Sequence, residues 1–125
     1  MVKIEPDPEG LAAYEAILGK SFSKPLEGFR ELTVNHLFAR LWTRKSLSIR
    51  DRRLITIALL ASQGHNDQLR SHIRGARCDN TGQGLTDEEI LELMIHTAHY
   101  AGWAAGANGT FQAEALFEEM DARDG

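Results

Sequence analysis

A histidine one helical turn after a glutamine, in a stripe that otherwise reads as core, is the strongest pointer to chemistry in these 125 residues. In NDQLRSHIRGA, Gln68, Leu69, His72, Ile73 and Ala76 share one helix face at i, i+1, i+4, i+5 and i+8. An imidazole there can act as general acid or base, and Gln68 can hold one ring nitrogen and so fix the tautomer. The same place also suits a core histidine satisfied by a hydrogen bond. A second constellation is Glu88, Glu92, His96 and His99, whose spacings of four, four and three bring all four side chains to one side of a helix. Imidazoles and carboxylates are ligands for a divalent metal such as zinc, but a helix face alone rarely completes a ligand set. A solvated or subunit-facing polar stripe explains the pattern equally well, so no metal is expected. Tyr100, Gly102 and Trp103 follow directly and read as a pocket wall, the phenol offering a hydroxyl and the glycine a close approach.

The elements that must position these groups are helical throughout. Ser48, with Asp51 three residues later, predicts a helix from near Ile49. From Leu54 its run LITIALLA is apolar on every face, which places it at the centre of the domain. Gly64 permits a turn, and Asn66 or Asp67 is the expected cap of the helix bearing His72. Upstream, Pro8 after Asp7 opens a short helix with Leu11, Tyr14 and Leu18 on its apolar side, and Gly19 ends it. The stretch SFSKPLEGF is a connection. In ELTVNHLFARLWTR, running to about Thr43, Leu32, Asn35, His36 and Ala39 fall in one row beside a wide apolar face of Val34, Leu37, Phe38 and Leu41. His36, on the Asn35 side, can then reach the same cavity as His72. Thr86 and Glu89 form a capping box for TDEEILELMIHTAHYAGW. Gly102, Gly106 and Gly109 interrupt a last helix from about Ala104 to Ala122, with Phe111, Ala115 and Leu116 on its apolar side. Each glycine there costs roughly 1 kcal/mol against alanine unless close helix approach or a ligand offsets it. No strand pattern or repeat is present. The reading is all-α: one compact helical domain over residues 1–125, of about five to six helices.

Composition narrows the functional classes. With 42% hydrophobic and 26% charged residues the chain is an ordinary globule. A formal net charge of −4, with the ten arginines dispersed among acids, argues against a nucleic-acid surface. No apolar run approaches the roughly 18 residues that span a bilayer, and MVKIEPDPEG has no signal-peptide core, so no membrane partner and a cytoplasmic location are expected. Cys78 is the single cysteine, which excludes a dithiol within one chain and leaves it a bystander. Nearly every helix is apolar around more than half its circumference, so a homo-oligomer is expected, with the central apolar helix or the Gly102 to Gly109 segment near a subunit contact.

The stretches HLFARLWTRKSLS, RLITIAL, HIRGA, GLTDEEILEL and HYAGW, in that order from His36 onward, resemble the carboxymuconolactone decarboxylase family, within the wider group that includes alkyl hydroperoxidase D. The resemblance implies an all-helical, alkyl hydroperoxidase D-like fold, no cofactor, and assembly as trimers or hexamers. It places His72, His36 and His96 at family histidine positions, and Arg44 and Arg52 at family arginine positions, where guanidinium forks can bind the carboxylates of a small anionic substrate. In the hydroperoxidase-like branch a CxxC stands seven and four residues before the histidine that His72 matches. Those places hold His65 and Gln68 here, which sets dithiol peroxide reduction aside. In the decarboxylase branch the place of Gln68 is usually a glutamate. Ala104, where the family commonly has proline, and the longer loop RCDNTGQGLT are further departures.

The expected function is therefore a cofactor-free carbon–carbon lyase, acting on a small cyclic acid such as 4-carboxymuconolactone in protocatechuate catabolism. Arg44 would anchor the carboxylate, Gln68 steady the growing enolate, and His72 deliver one proton. His36 is a further candidate for catalysis, and Arg52, His96, Tyr100 and Trp103 for substrate binding. The alternatives are a noncatalytic oligomeric binding protein on the same fold, or another cofactor-free reaction such as isomerisation or ring closure in a biosynthetic pathway.

Overall fold

A computed structural model describes residues 4–124, so the first three residues of the N-terminal stretch read above lie outside it. The order is α1 (Pro8–Leu18), α2 (Phe29–Leu32), a π-helical segment (Thr33–Leu41), α3 (Ile49–Gln63), α4 (Asn66–Cys78), α5 (Asp87–Ala101) and α6 (Trp103–Asp124). Among the described residues there is no strand.

The helix ends obey local chemistry. Asp7 accepts from the Glu9 and Gly10 amides with Pro8 in the first turn, and Gly19 closes α1 at φ 66°. Ser48 accepts from the Asp51 amide, and the Thr86–Glu89 box is complete. Two expectations are corrected. His65, rather than Asn66 or Asp67, precedes α4 and makes no side-chain cap; Asn66 instead accepts from Asn108 of α6 at 2.8 Å. The second helix is also not α-helical along its length. Its middle is widened, with the Trp42 amide bonded to the Leu37 carbonyl five residues back at 3.2 Å. This turns Val34, Phe38, Ala39 and Trp42 inward and leaves Leu32, Leu37 and Leu41 exposed.

Burial divides the apolar residues into two clusters. The larger joins α3 to α6 through Ile57, Ala61, Leu69, Ile73, Ile90, Met94, Ala113 and Leu116. The smaller joins α1 to the π segment through Ile17, Leu18, Phe38 and Trp42. The central helix is less enclosed than its sequence suggests, since Ile55 and Leu59 remain 48% and 53% exposed on this one chain. On α6 the inward residues are Gly106, Gly109, Ala113, Leu116 and Phe117, while Phe111 faces out. Gly106 and Gly109 do not interrupt α6. A Cβ on Gly106 would run into Ala98 and Met94 of α5, so close approach of the two helices is what they permit.

One buried ion pair crosses the boundary between the clusters. Arg53, with 0% exposure, donates from Nη2 to Asp79 at 2.9 Å, from Nη1 to the Ile17 carbonyl at 2.8 Å and from Nε to the Gln83 carbonyl at 3.1 Å. On the facing side Gly75 of α4 lies directly on the end of α1. A Cβ there would overlap the Ile17 carbonyl, with backbone on both sides and no flexible side chain to yield. Gly75→Ala is therefore expected to destabilise the fold by about 3 kcal/mol, at the upper end for overpacking. Urea denaturation checks it: an unchanged midpoint would mean that α1 shifts away without loss.

Candidate active site

The seam between the clusters is where His72 sits. Leu69, Ile73 and Ala76 point from α4 into the larger core, and His72, on the adjoining edge of the helix, turns towards the smaller one. Its ring stacks on Trp42 with centroids 5.7 Å apart and planes 19° apart. Trp42 stacks in turn on Phe38 at 6.0 Å, and Phe38 meets Tyr14 edge-on at 5.2 Å. The widened helix produces this column by turning both Phe38 and Trp42 towards α4.

Beside the ring lies a cavity of about 360 Å³ lined by residues of α1, the connection after it, α2, the π segment and α4, among them Tyr14, Lys20, Phe38, Gln68, Ser71 and His72. Lys20 Nζ donates to Ser71 Oγ at 3.2 Å. The Ser71 hydroxyl hydrogen therefore remains available to a ligand. His72 Nδ1 is buried and has no hydrogen-bond partner among the described residues. A buried polar atom without a partner is costly, and a site that binds polar molecules is one reason for a fold to retain one. Burial pushes the His72 pKa down to about 4, and the cations Arg53 and Lys20 push in the same direction. With its pKa lowered in this way, His72 is a neutral imidazole at pH 7.

The structure gathers only some of the residues expected from the sequence. Gln68 lines the His72 cavity, although no hydrogen bond joins the two side chains among the described residues, so it does not set the tautomer here. His36 is exposed and is not among the lining residues, because the π segment turns Val34, Phe38 and Ala39 inward in its place. Arg44 is exposed in the turn before α3, where its carbonyl accepts from Arg52 at 3.3 Å; Arg52 Nε is buried without a partner, but neither side chain lines the cavity. Tyr100 and Trp103, expected as a wall, are 85% and 73% exposed. Gly102, at φ 117°, separates α5 from α6, and neither Tyr100 nor Trp103 lines the His72 cavity. Tyr100 stacks on His96 at 5.1 Å, Trp103 lines a different hollow between α5 and α6, and His96 borders another with Arg50 and Glu89. Among the described residues no three His, Cys, Asp or Glu side chains converge as a metal set, so Glu88, Glu92, His96 and His99 form a surface stripe.

Three participants went unread. Trp42 carried a detectable signal, since Phe38 and Trp42 are four residues apart on a helix and share a face. Lys20 and Arg53 had none, because their partners Ser71 and Asp79 are 51 and 26 residues away.

The depressed pKa has a consequence for stability. A base whose folded pKa lies below its unfolded value contributes stability that is present above the unfolded pKa and is lost as pH falls through the folded one. For His72 that window runs from 6.5 down to about 4. The full difference is worth roughly 3 kcal/mol. Denaturant midpoints at pH 7 and pH 4.5 should therefore fall less for His72→Gln than for the native chain; equal losses would place the acid sensitivity elsewhere.

The sequence model of the carboxymuconolactone decarboxylase family matches residues 27–115. A 4-carboxymuconolactone decarboxylase of Acinetobacter baylyi is 32% identical over 120 residues, spanning 90% of this chain and 87% of the relative. A nitrosuccinic acid decarboxylase of Metarhizium robertsii is 30% identical over 103 residues, spanning 81% of this chain and 67% of the relative. The matched region holds α2 to α5, most of α6 and His72 with its Trp42 partner, and leaves α1 and Lys20 outside. On both grounds the chain belongs to the carboxymuconolactone decarboxylase family.

Proposed function

We propose that this protein is a cofactor-free decarboxylase of a small cyclic carboxylic acid, such as 4-carboxymuconolactone in protocatechuate catabolism, with the His72 cavity as its active site. The observation that carries the reading is the His72 imidazole itself, largely withdrawn from water, with a free Nδ1 and a lysine on the same cavity. Two relatives named as decarboxylases of small acids support the reaction class.

The chemistry asks little of the protein. In a lactone acid of this kind the bond from ring carbon to carboxylate breaks, CO2 leaves, and the electron pair passes through the conjugated double bond into the lactone carbonyl. A proton then adds next to that carbonyl to give the enol-lactone. Lys20 draws the anionic substrate in, and Gln68 and Ser71 offer donors to the enolate oxygen as its charge grows. Burial first, and then the charges of Arg53 and Lys20, hold His72 neutral; an anion in the cavity offsets those charges, so the imidazole takes up a proton as substrate binds. The Trp42 face supports the resulting cation. His72 then returns that proton to carbon.

We also propose that the working form is a trimer or hexamer. Ile55 and Leu59 on α3, Ile95 on α5, and Trp103 and Phe111 on α6 are large apolar side chains open to water on one chain, and a second copy is what would cover them. Light scattering at micromolar concentration should give a trimer or hexamer, and Phe111→Glu should reduce it; a native monomer overturns the assembly.

With 4-carboxymuconolactone as substrate, CO2 release should be measurable, and His72→Gln should lower kcat by about 10² to 10⁴ while the helical spectrum persists. Full activity in His72→Gln removes His72 from proton transfer. Binding without CO2 release from the native protein would make this a ligand-binding member of the family rather than an enzyme.

A further inference from the structure

His72 acts as an acid only after an anion has raised its proton affinity; beside an uncharged ligand the same ring is a base. Burial, and then the charges of Arg53 and Lys20, keep it neutral there. Its Nδ1 has no hydrogen-bond partner among the described residues, so no carboxylate or carbonyl holds the ring in one protonation state. Gln68, one turn earlier on the same wall, is an amide and cannot exchange a proton. Two further features suit an uncharged ring. Leu18, Phe29, Leu37 and Phe38 supply an apolar lining. Ser71 Oγ accepts from Lys20 Nζ at 3.2 Å, which leaves the hydroxyl hydrogen free to donate and puts a cation behind it that strengthens the donor.

We propose that the His72 cavity has a second activity, the isomerisation of uncharged five-membered unsaturated lactones by a proton shift between two ring carbons. The inference rests on His72 being the proton-transfer group of this cavity, and not on CO2 being lost there. The substrate is a lactone whose ring double bond is out of conjugation with its carbonyl. His72 takes a proton from the ring CH2 next to that carbonyl. The electron pair of the broken C–H bond passes to the carbonyl oxygen, giving an enolate conjugated with the ring double bond, and Ser71 and Gln68 donate to that oxygen. The negative charge so formed offsets the nearby cations and stabilises the imidazolium beside it. His72 then returns the proton to the ring carbon at the far end of the conjugated system, and the double bond moves next to the carbonyl. No atom is gained or lost, and no co-reactant is needed. The two carbons belong to one flat ring, two bonds apart, so a single imidazole reaches both. Loss of CO2 from a lactone acid leads to the same kind of enolate, so the groups that stabilise it serve either entry.

α-Angelica lactone tests the proposal, since it carries a methyl group, no carboxylate and an unconjugated double bond. It is incubated with the full chain at pH 7, and proton NMR follows the loss of its ring CH2 signal and the growth of the vinyl signals of β-angelica lactone. Conversion should outrun a blank of free imidazole at the same concentration by about 10²-fold, the contribution of a positioned base. His72→Gln should remove that advantage. Ser71→Ala, which takes away one donor to the enolate, should lower the rate by about 10²-fold. Arg40→Ala, at an exposed arginine that does not line the cavity, should leave it unchanged. A rate no greater than the blank, or a full rate in His72→Gln, overturns the isomerase. Should His72→Gln fail to fold, a full rate in Ser71→Ala overturns it instead. The two readings fail separately: CO2 release from 4-carboxymuconolactone without lactone isomerisation removes the isomerase and keeps the decarboxylase, whereas isomerisation without CO2 release supports the isomerase and removes the decarboxylase.

Discussion

A guanidinium sealed from water is the constraint on which the rest of the structure depends. Arg53 cannot lose its charge, so the chain around it must supply acceptors, and it does so from three separate places. The Ile17 carbonyl comes from the last turn of α1, where helix geometry leaves carbonyls without internal partners. Asp79 comes from the residue that ends α4, and the Gln83 carbonyl from the loop beyond. Burial alone would raise the Asp79 pKa; hydrogen bonds from Thr81 and Arg53 outweigh it and hold the carboxyl below its ordinary value. Removing one member of such a set typically costs 3–5 kcal/mol, because the other is left charged and buried. In one stroke the pair fixes α1 against α3 and α4, and Gly75 lets the backbones come close enough for it to form.

The same arrangement reaches the chemistry. With α1 pinned to α4, the smaller apolar cluster closes over one edge of α4 and withdraws His72 from water, and the Arg53 charge adds to the effect of burial on its pKa. The cavity therefore combines a neutral base, a nitrogen without a protein partner and nearby cations. An anion beside His72 would favour its protonated form, which couples the binding of charge in this cavity to the protonation of the imidazole.

The opposite side of the molecule is organised differently. The Arg50–Glu89 ion pair and the capping box share one carboxylate, and Arg77 joins Asp87 and Asp121 while lying over the Phe117 ring at 4.8 Å. These contacts tie α3, α4, α5 and α6 together at their polar edges, leaving Ile55, Leu59, Ile95 and Phe111 uncovered between them. The His72 cavity and the exposed apolar side chains thus involve different residues of one small bundle, with α4 supplying Gln68, Ser71 and His72 to the cavity wall.

How much of this was legible in the sequence follows the range of the interactions. Helix starts and stops at Asp7, Gly19, Ser48, Gly64 and Thr86 depend on neighbours within four residues, and the sequence carried them, whereas the end of α5 at Gly102 was read as lying within a longer helical stretch. The burial of Leu69, Ile73 and Ala76 depends on helical period, and placed His72 beside a core correctly. Periodicity says which face a residue occupies but not which other helix meets that face. His36, Arg44 and Tyr100 stand on plausible faces and line another surface or none at the His72 cavity, whereas Lys20, in a connection with no pattern, is beside the imidazole. The widened turn at Trp42 and the pairing of Arg53 with Asp79 likewise have no local cause. They arise only when α1 and the π segment pack across α4, because a buried charge or ring takes its partners from whatever the tertiary fold brings within a few ångströms of it.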